Sequence, residues 1–328
     1  MALTPTIVTE AVGASLDAWM EKNWVNLAIS GRPYLHHVES RRKTKRGYAK
    51  LKGNVSVKAP GNVGLQTDLR GTMTLATATA VTAEYSFAYY TGRTGIDLGE
   101  KDQNLNGAVI TDLLQNRLEV VNEDIAEDIT TNLFKLAQVS GAPAAFYPSI
   151  TAASGSIGGL EIGEKWQGNV AYVNHASAPL SNPETGTFEG DMRKDWMTLL
   201  SKAGMPDLIL MSPSVFEKFE TEIAAKVHYV PDEQSAAVGY PAYKFKGATI
   251  LCEPAMEEES AGTAGKVKGW YCMLDTRKNY PVFRADRPYR EEFKSENTWV
   301  EGYKVAWGLA NCFYALNRCL VRSYRITP

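Results

Sequence analysis

The stretch NGAVITDLLQNRLEVVNEDIAEDITTNLFKLAQ, residues 106–138, decides the fold. Its apolar residues Ile110, Leu114, Leu118, Val121, Ile125, Ile129, Leu133 and Leu136 recur at every third or fourth position, the period of an amphipathic helix. Asn106 supplies an N-cap, no Gly or Pro follows Gly107, and Ser140-Gly141-Ala142-Pro143 supplies a stop. At about 1.5 Å per residue such a helix is about 50 Å long, several times the usual three or four turns. It is therefore expected to act as a spine for a whole domain. Its polar side is acidic, with Glu119, Glu123, Asp124, Glu127 and Asp128 in the middle.

Upstream, Lys50 to Ala59 alternates strictly: Leu51, Gly53, Val55, Val57 and Ala59 against Lys50, Lys52, Asn54, Ser56 and Lys58. That period of two predicts a half-exposed strand. Pro60-Gly61-Asn62-Val63-Gly64 has turn chemistry, and the Thr-rich run from Arg70 to Thr82 suits a returning strand. Residues 45–85 thus read as a long β-hairpin with one cationic face. Large apolar groups are scarce in it until Tyr85, Phe87, Tyr89 and Tyr90, so it needs another surface to lie on.

Downstream, residues 141–190 are rich in Gly, Ala, Ser, Asn and Pro and read as an irregular connection. Regular pattern resumes at Trp196–Leu200 and at Pro206–Met211, a short buried strand. Ser212-Pro213 then caps a helix with apolar positions Phe216, Phe219, Ile223 and Val227. Further strands are expected at Ala248–Cys252, Trp270–Leu274 and within Tyr303–Ile326. Hairpin, long helix, mixed elements and closing strands in that order indicate an α+β fold.

The 328 residues carry 35 Lys plus Arg against 37 Asp plus Glu, a formal charge of −2, which excludes a globally basic or a highly acidic disordered chain. The near-neutral total hides segregation. Residues 32–58 hold nine cations and one anion, Glu39, so this segment is +8 and the remainder −10. No window approaches the roughly 20 apolar residues of a membrane span and no secretory leader is evident, so a cytosolic protein without membrane contact is expected. Cys252, Cys272, Cys312 and Cys319 have neither metal-pair spacing nor scaffold density and read as buried thiols.

Sequence signatures of catalysis are missing: there is no GxSxG, HExxH, GxGxxG or phosphate-binding Gly-rich loop ending in Lys-Ser/Thr. His36, His37, His175 and His228 lie in basic or polar stretches without a partner pattern. The acidic helix lacks the His and second helix of a di-metal site. Gly155-Ser156-Ile157-Gly158-Gly159 precedes no helical pattern and reads as a loop. No enzyme activity, cofactor or metal is expected. The basic segment Arg41, Arg42, Lys43, Lys45, Arg46, Lys50, Lys52 and Lys58 admits three readings: a solvated strand face, a phosphate-binding surface, or a clamp on the acidic helix Glu119, Glu123, Asp124, Glu127 and Asp128 of a neighbouring copy.

In its linear order the chain resembles the major capsid proteins of tailed bacteriophages, a fold shared with encapsulin shells and the floor domain of herpesvirus capsids. The likeness rests on the Lys50–Lys58 strand, the spine helix 106–138, and Gly158-Gly159-Leu160 leading to Trp166-Gln167-Gly168-Asn169. It continues through Met205–Ser212, Phe245–Ile250 and Trp307-Gly308-Leu309-Ala310-Asn311. The resemblance implies an N-terminal arm over 1–40, an extended hairpin loop over 41–85 and a peripheral domain with the spine helix over 86–140. It further implies an axial domain over 141–300, with closing strands returning to the peripheral domain over 301–328. It implies hexamers and pentamers tiling an icosahedral phage head around double-stranded DNA, assembled in the host cytoplasm and located in the virion. Expected partners are other copies, a separate scaffolding protein, a portal, a possible decoration protein and non-specifically bound DNA. An encapsulin-like compartment and a nucleic-acid-binding protein are the alternatives.

Overall fold

The computed structural model describes residues 32–39, 43–45, 50–56, 80–97, 107–151, 156–161, 188–202, 205–224, 242–258, 267–277, 279–284, 289–294, 300–313 and 319–325. In chain order these form α1 (Pro33–Glu39), β1 (Lys43–Lys45), β2 (Lys50–Ser56), β3 (Ala80–Ser86), β4 (Ala88–Asp97), α2 (Gly107–Phe134) and α3 (Phe146–Thr151). There follow β5 (Ser156–Ile157), β6 (Leu160–Glu161), α4 (Phe188–Lys202), β7 (Leu208–Met211), α5 (Pro213–Ala224), β8 (Ala242–Phe245) and β9 (Ala248–Cys252). The chain closes with β10 (Val267–Leu274), β11 (Asn279–Arg284), β12 (Tyr289–Lys294), β13 (Val300–Phe313) and β14 (Cys319–Arg325). The α+β class expected from element order is what the chain adopts.

Helix α2 is the spine that the periodicity predicts, 28 residues long, or about 42 Å at 1.5 Å per residue. Leu114, Leu118, Ile125, Ile129 and Leu133 are buried as the pattern requires. The helix lies on β4 and β13, which pair antiparallel along ten positions from Val300↔Asp97 to Leu309↔Ala88. Close approach depends on Gly92 of β4. A Cβ there would fall 2.2 Å from Val121 Cγ1 and 3.2 Å from Ile125 Cδ1. The Arg117 guanidinium donates to the Gly95 carbonyl and ties helix to strand a turn further along.

The helix ends at Phe134, four residues before the predicted stop. Glu257, through its backbone and its side chain, and Gln138 of the exit loop take up the polar groups where the helix stops. Glu257 donates its backbone N–H to the Phe134 carbonyl at 3.2 Å, and its carboxylate accepts from the Leu136 N–H at 2.7 Å. The Gln138 amide donates to the carbonyls of Val139, Ala142 and Pro143 and accepts from Ala145 N–H, knotting the exit loop. Satisfying helix-end carbonyls in this way replaces another turn of helix. Asn106, the expected cap, lies outside the described residues.

The second sheet has order β14-β10-β7-β9-β8, with β7 and β9 parallel. The apolar run Leu208–Met211 is buried on both faces, as central strands of covered sheets are. Leu208 and Leu210 of β7, with Trp270, Cys272 and Leu274 of β10, face the core that α2 and α1 share. Ile209, Met211, Tyr271 and Met273 face α4 and α5, meeting Phe188, Trp196, Phe216 and Phe219. One sheet therefore serves two cores by the period-two alternation of its strands. Helix α5 starts at Pro213 as expected, but the Ser212 hydroxyl does not cap it: that oxygen accepts from Trp270 N–H at 3.1 Å. Glu258 caps instead, accepting from Ser214 N–H at 3.0 Å and from its hydroxyl at 2.6 Å.

Three further differences from the sequence reading follow. Residues 146–151 are not irregular but form α3, and residues 156–161 form the β5–β6 hairpin. Lys43–Lys45 is not part of the long hairpin: it pairs in parallel with Val282–Arg284 at the edge of the first sheet, whose order is β1-β11-β13-β12 with β4 also on β13. Of the two closing strands, β13 lies beneath the spine helix, while β14 pairs with β10 in the second sheet.

The hairpin β2–β3 runs in register from Lys50↔Ser86 to Ser56↔Ala80. Its root is anchored in the core, where Leu51 and Tyr85 are buried. Gly158, in the β5–β6 turn with φ +58°, accepts the Glu84 N–H at 2.8 Å. A Cβ at 158 would sit 2.6 Å from the Tyr85 ring. Gly158→Ala combines left-handed backbone with that collision and is expected to cost about 1–3 kcal/mol, seen as a lowered urea midpoint; an unchanged midpoint would refute this account of the joint.

Candidate intersubunit surface

The cationic face of the hairpin begins at Lys50 and Lys52, whose side chains are 58% and 64% exposed. Register sets Lys52 directly across from Glu84. The Glu84 carboxylate lies 2.7 Å from Lys52 Nζ and 3.6 Å from Lys50 Nζ. The hydrogen bond from Lys52 and the charges of both lysines hold the Glu84 carboxyl below the usual carboxylate range. These two cations are thus partly engaged within their own hairpin, a pairing that only the register discloses. Lys43 and Lys45 occupy the edge strand β1, while Arg41, Arg42, Arg46 and Lys58 lie outside the described residues.

The acidic face is the solvent side of α2. Glu123, Asp124, Glu127 and Asp128 are exposed and Glu119 is half-buried, with Val120 standing 56% exposed among them. Glu127 has a partner within the chain, Arg32, at 2.7 Å. No ion pair engages Glu123, Asp124 or Asp128 among the described residues. The spacing 120, 123, 124, 127, 128 puts them on one stripe of about two and a half turns. The strip has surplus negative charge with an exposed apolar residue, Val120, at its N-terminal end.

Between these faces, α1 seats the N-terminal segment in the core. Tyr34 packs edge-on against Phe134 and Phe146, with ring centroids 5.3 and 5.4 Å away. The buried Glu253 carboxylate accepts from Tyr34 N–H at 3.0 Å and Ala255 N–H at 3.3 Å. Burial pushes the Glu253 carboxyl upward, opposed by those two N–H groups and by the charge of Arg32. A folded-state value above the unfolded one means that the folded protein holds the proton more tightly. This group's contribution is then complete below the unfolded value and is lost as pH rises through the folded one. Glu253→Gln removes the buried charge and keeps one carbonyl oxygen, enough for the Tyr34 N–H but leaving the Ala255 N–H facing the amide nitrogen, a cost that does not vary with pH. Its stability relative to the parent is expected to improve as pH rises from the unfolded value of about 4 through the raised folded one and to level off above it, measured by urea unfolding; a pH-independent difference would contradict the assignment.

Burial raises the Cys252 thiol to about 11 and pushes the fully buried Cys272 up further. Among the described residues, no cluster of His, Cys, Asp or Glu could hold a metal ion, and no helix is long and apolar enough to cross a membrane.

No protein-family model matches the chain, and no curated protein is similar to it in sequence. Solved structures do match. The capsid protein of cyanophage A-1(L) superposes with a TM-score of 0.60 at 11% identity, covering 90% of this chain and 93% of that one. The capsid of the empty GTA particle gives 0.59 at 10% identity over 88% and 89%. The chain has the tailed-phage capsid fold. The SrpI encapsulin of Synechococcus elongatus PCC 7942 also matches, with a TM-score of 0.52 at 11% identity over 89% and 86%.

Proposed function

We propose that the protein is the major capsid subunit of a tailed phage, a structural protein that assembles into hexamers and pentamers of an icosahedral head around double-stranded DNA. The observation that carries the reading is agreement of fold over about nine-tenths of both chains with phage capsid proteins. The cyanophage and GTA capsids match at TM-scores of 0.60 and 0.59 against 0.52 for the encapsulin, which supports a phage head as the first reading and an encapsulin-like compartment as the alternative. On this reading, residues 1–40 are the arm, 41–85 the extended loop except for Lys43–Lys45, which is held at the edge of the first sheet, 86–140 the peripheral domain and 141–300 the axial domain. The closing segment 301–328 is divided between the two sheets. A shell requires heterologous contacts that close on several sides of each subunit, and opposed charges set their register. The basic segment 41–58 lies on the acidic stripe of a neighbour's spine helix, with Arg41, Arg42, Arg46 and Lys58 as its principal cations. A separate scaffolding protein, a portal and non-specific DNA contact complete the partners. No catalytic step is involved.

Sedimentation velocity of the purified protein over a concentration series tests the reading. Capsomer-sized and shell-sized species are expected to grow with concentration. A monomer at every concentration, combined with duplex DNA binding that weakens steeply with salt, would replace it with nucleic-acid binding.

A further inference from the structure

The short segment Glu253–Glu257 touches both the N-terminal segment and the spine helix, at opposite ends. At its first residue, the buried Glu253 carboxylate holds the Tyr34 N–H, and Glu253 N–H is itself fixed to the Met211 carbonyl at 3.0 Å. At its last residue, Glu257 takes the Phe134 carbonyl and the Leu136 N–H, while its own carbonyl accepts from Trp270 Nε1 at 3.1 Å. Met256 N–H bonded to the Glu253 carbonyl at 3.1 Å makes the segment a single tight turn. A second route runs through side chains. The Tyr34 ring lies on Phe134, the final residue of α2, and Phe134 stacks on Phe146 at 5.3 Å and 19°.

We propose that Glu253–Glu257 is a clasp coupling the docking of the N-terminal segment 32–38 to the C-terminal end of the spine helix, so that displacing the segment frays the helix end. The two ends are held by one rigid turn, and a shift of the turn cannot satisfy one set of hydrogen bonds while breaking the other. Coupling of this kind is reciprocal: loosening the helix end must also loosen the segment. Resting on the capsid reading, the consequence is that a neighbour which engages the N-terminal segment alters the spine helix of the subunit it touches. The clasp itself is a property of the single chain and stands or falls without that reading.

The test is amide hydrogen exchange on the full chain, read at residues 32–38 and 130–136. Glu253→Ala removes the acceptor of Tyr34 N–H and is expected to speed exchange in both regions by about tenfold, the scale of one lost buried hydrogen bond. Glu253→Gln, which retains an acceptor, is expected to restore protection in both. Glu257→Ala acts from the other end, at an exposed carboxylate, and is expected to speed exchange at Leu136 and at Tyr34 alike. Should Glu253→Ala fail to fold, Glu257→Ala decides alone. Faster exchange confined to the region next to each substitution would overturn the proposal.

Discussion

Gly92→Val is expected to leave no folded protein. The added side chain would stand where Val121 now packs, since even the first carbon lies 2.2 Å from Val121 Cγ1. Helix α2 would have to lift from β4 along much of its length, breaking the burial of Leu118, Ile125 and Ile129. Overpacking of a single site costs about 1–3 kcal/mol when neighbours can yield. Here Val121 and Ile125 both belong to one stiff helix, and the strand is locked on its other side by β13. The expected outcome is insoluble expression for Gly92→Val and a folded protein destabilised by about 1–3 kcal/mol for Gly92→Ala, where only Val121 must rotate. Thermal unfolding of both variants checks this. A Gly92→Val protein that melts like the parent would mean that the helix does not sit on this strand as described.

Reversing the acidic stripe is the second large effect. Glu123→Lys, Asp124→Lys and Asp128→Lys together change exposed residues that make no ion pair among the described residues, so the monomer is expected to unfold as before. Exposed ion pairs contribute about 0–1 kcal/mol each, and replacing several attractions by repulsions at every contact of a shell multiplies the loss. The yield of assembled particles is expected to fall at least about tenfold, a factor that roughly 1.4 kcal/mol per contact supplies. Complementary reversal of Arg41, Arg42 and Lys58 to Glu is expected to restore it. Lys50 and Lys52 are left out because reversing them would set two more carboxylates beside Glu84. Undiminished assembly by the triple variant, or no recovery on reversal of the cations, would remove the charged contact from the account.

What could be read from the sequence was whatever depends on local periodicity. The apolar positions of α2 and the Leu51-against-Lys50/Lys52 alternation of β2 reappear as buried and exposed residues. Strand β9 falls on residues 248–252 as expected. What could not be read depends on residues far apart in the chain. The early end of α2 needs Glu257, 123 positions beyond Phe134, and the cap of α5 is Glu258 rather than the adjacent Ser212. The hairpin reads as coreless because its own residues are small and polar. Its core contact comes through Leu51 and Tyr85, wedged on Gly158 of another element. For the candidate surface, the charge segregation was legible. That Glu84 and Arg32 already engage Lys52 and Glu127 was not, since cross-strand register and the path of α1 are tertiary facts. Glu84, which follows the Thr-rich run that returns opposite the lysines, is the signal by which the former could have been found.

Electron microscopy of the purified, concentrated protein tests the central claim most directly. Closed shells or their pentameric and hexameric capsomers are the expected images, with duplex DNA unnecessary for their formation. Uniform small particles the size of one 36.1 kDa chain, under conditions where the chain is folded and concentrated, would contradict it.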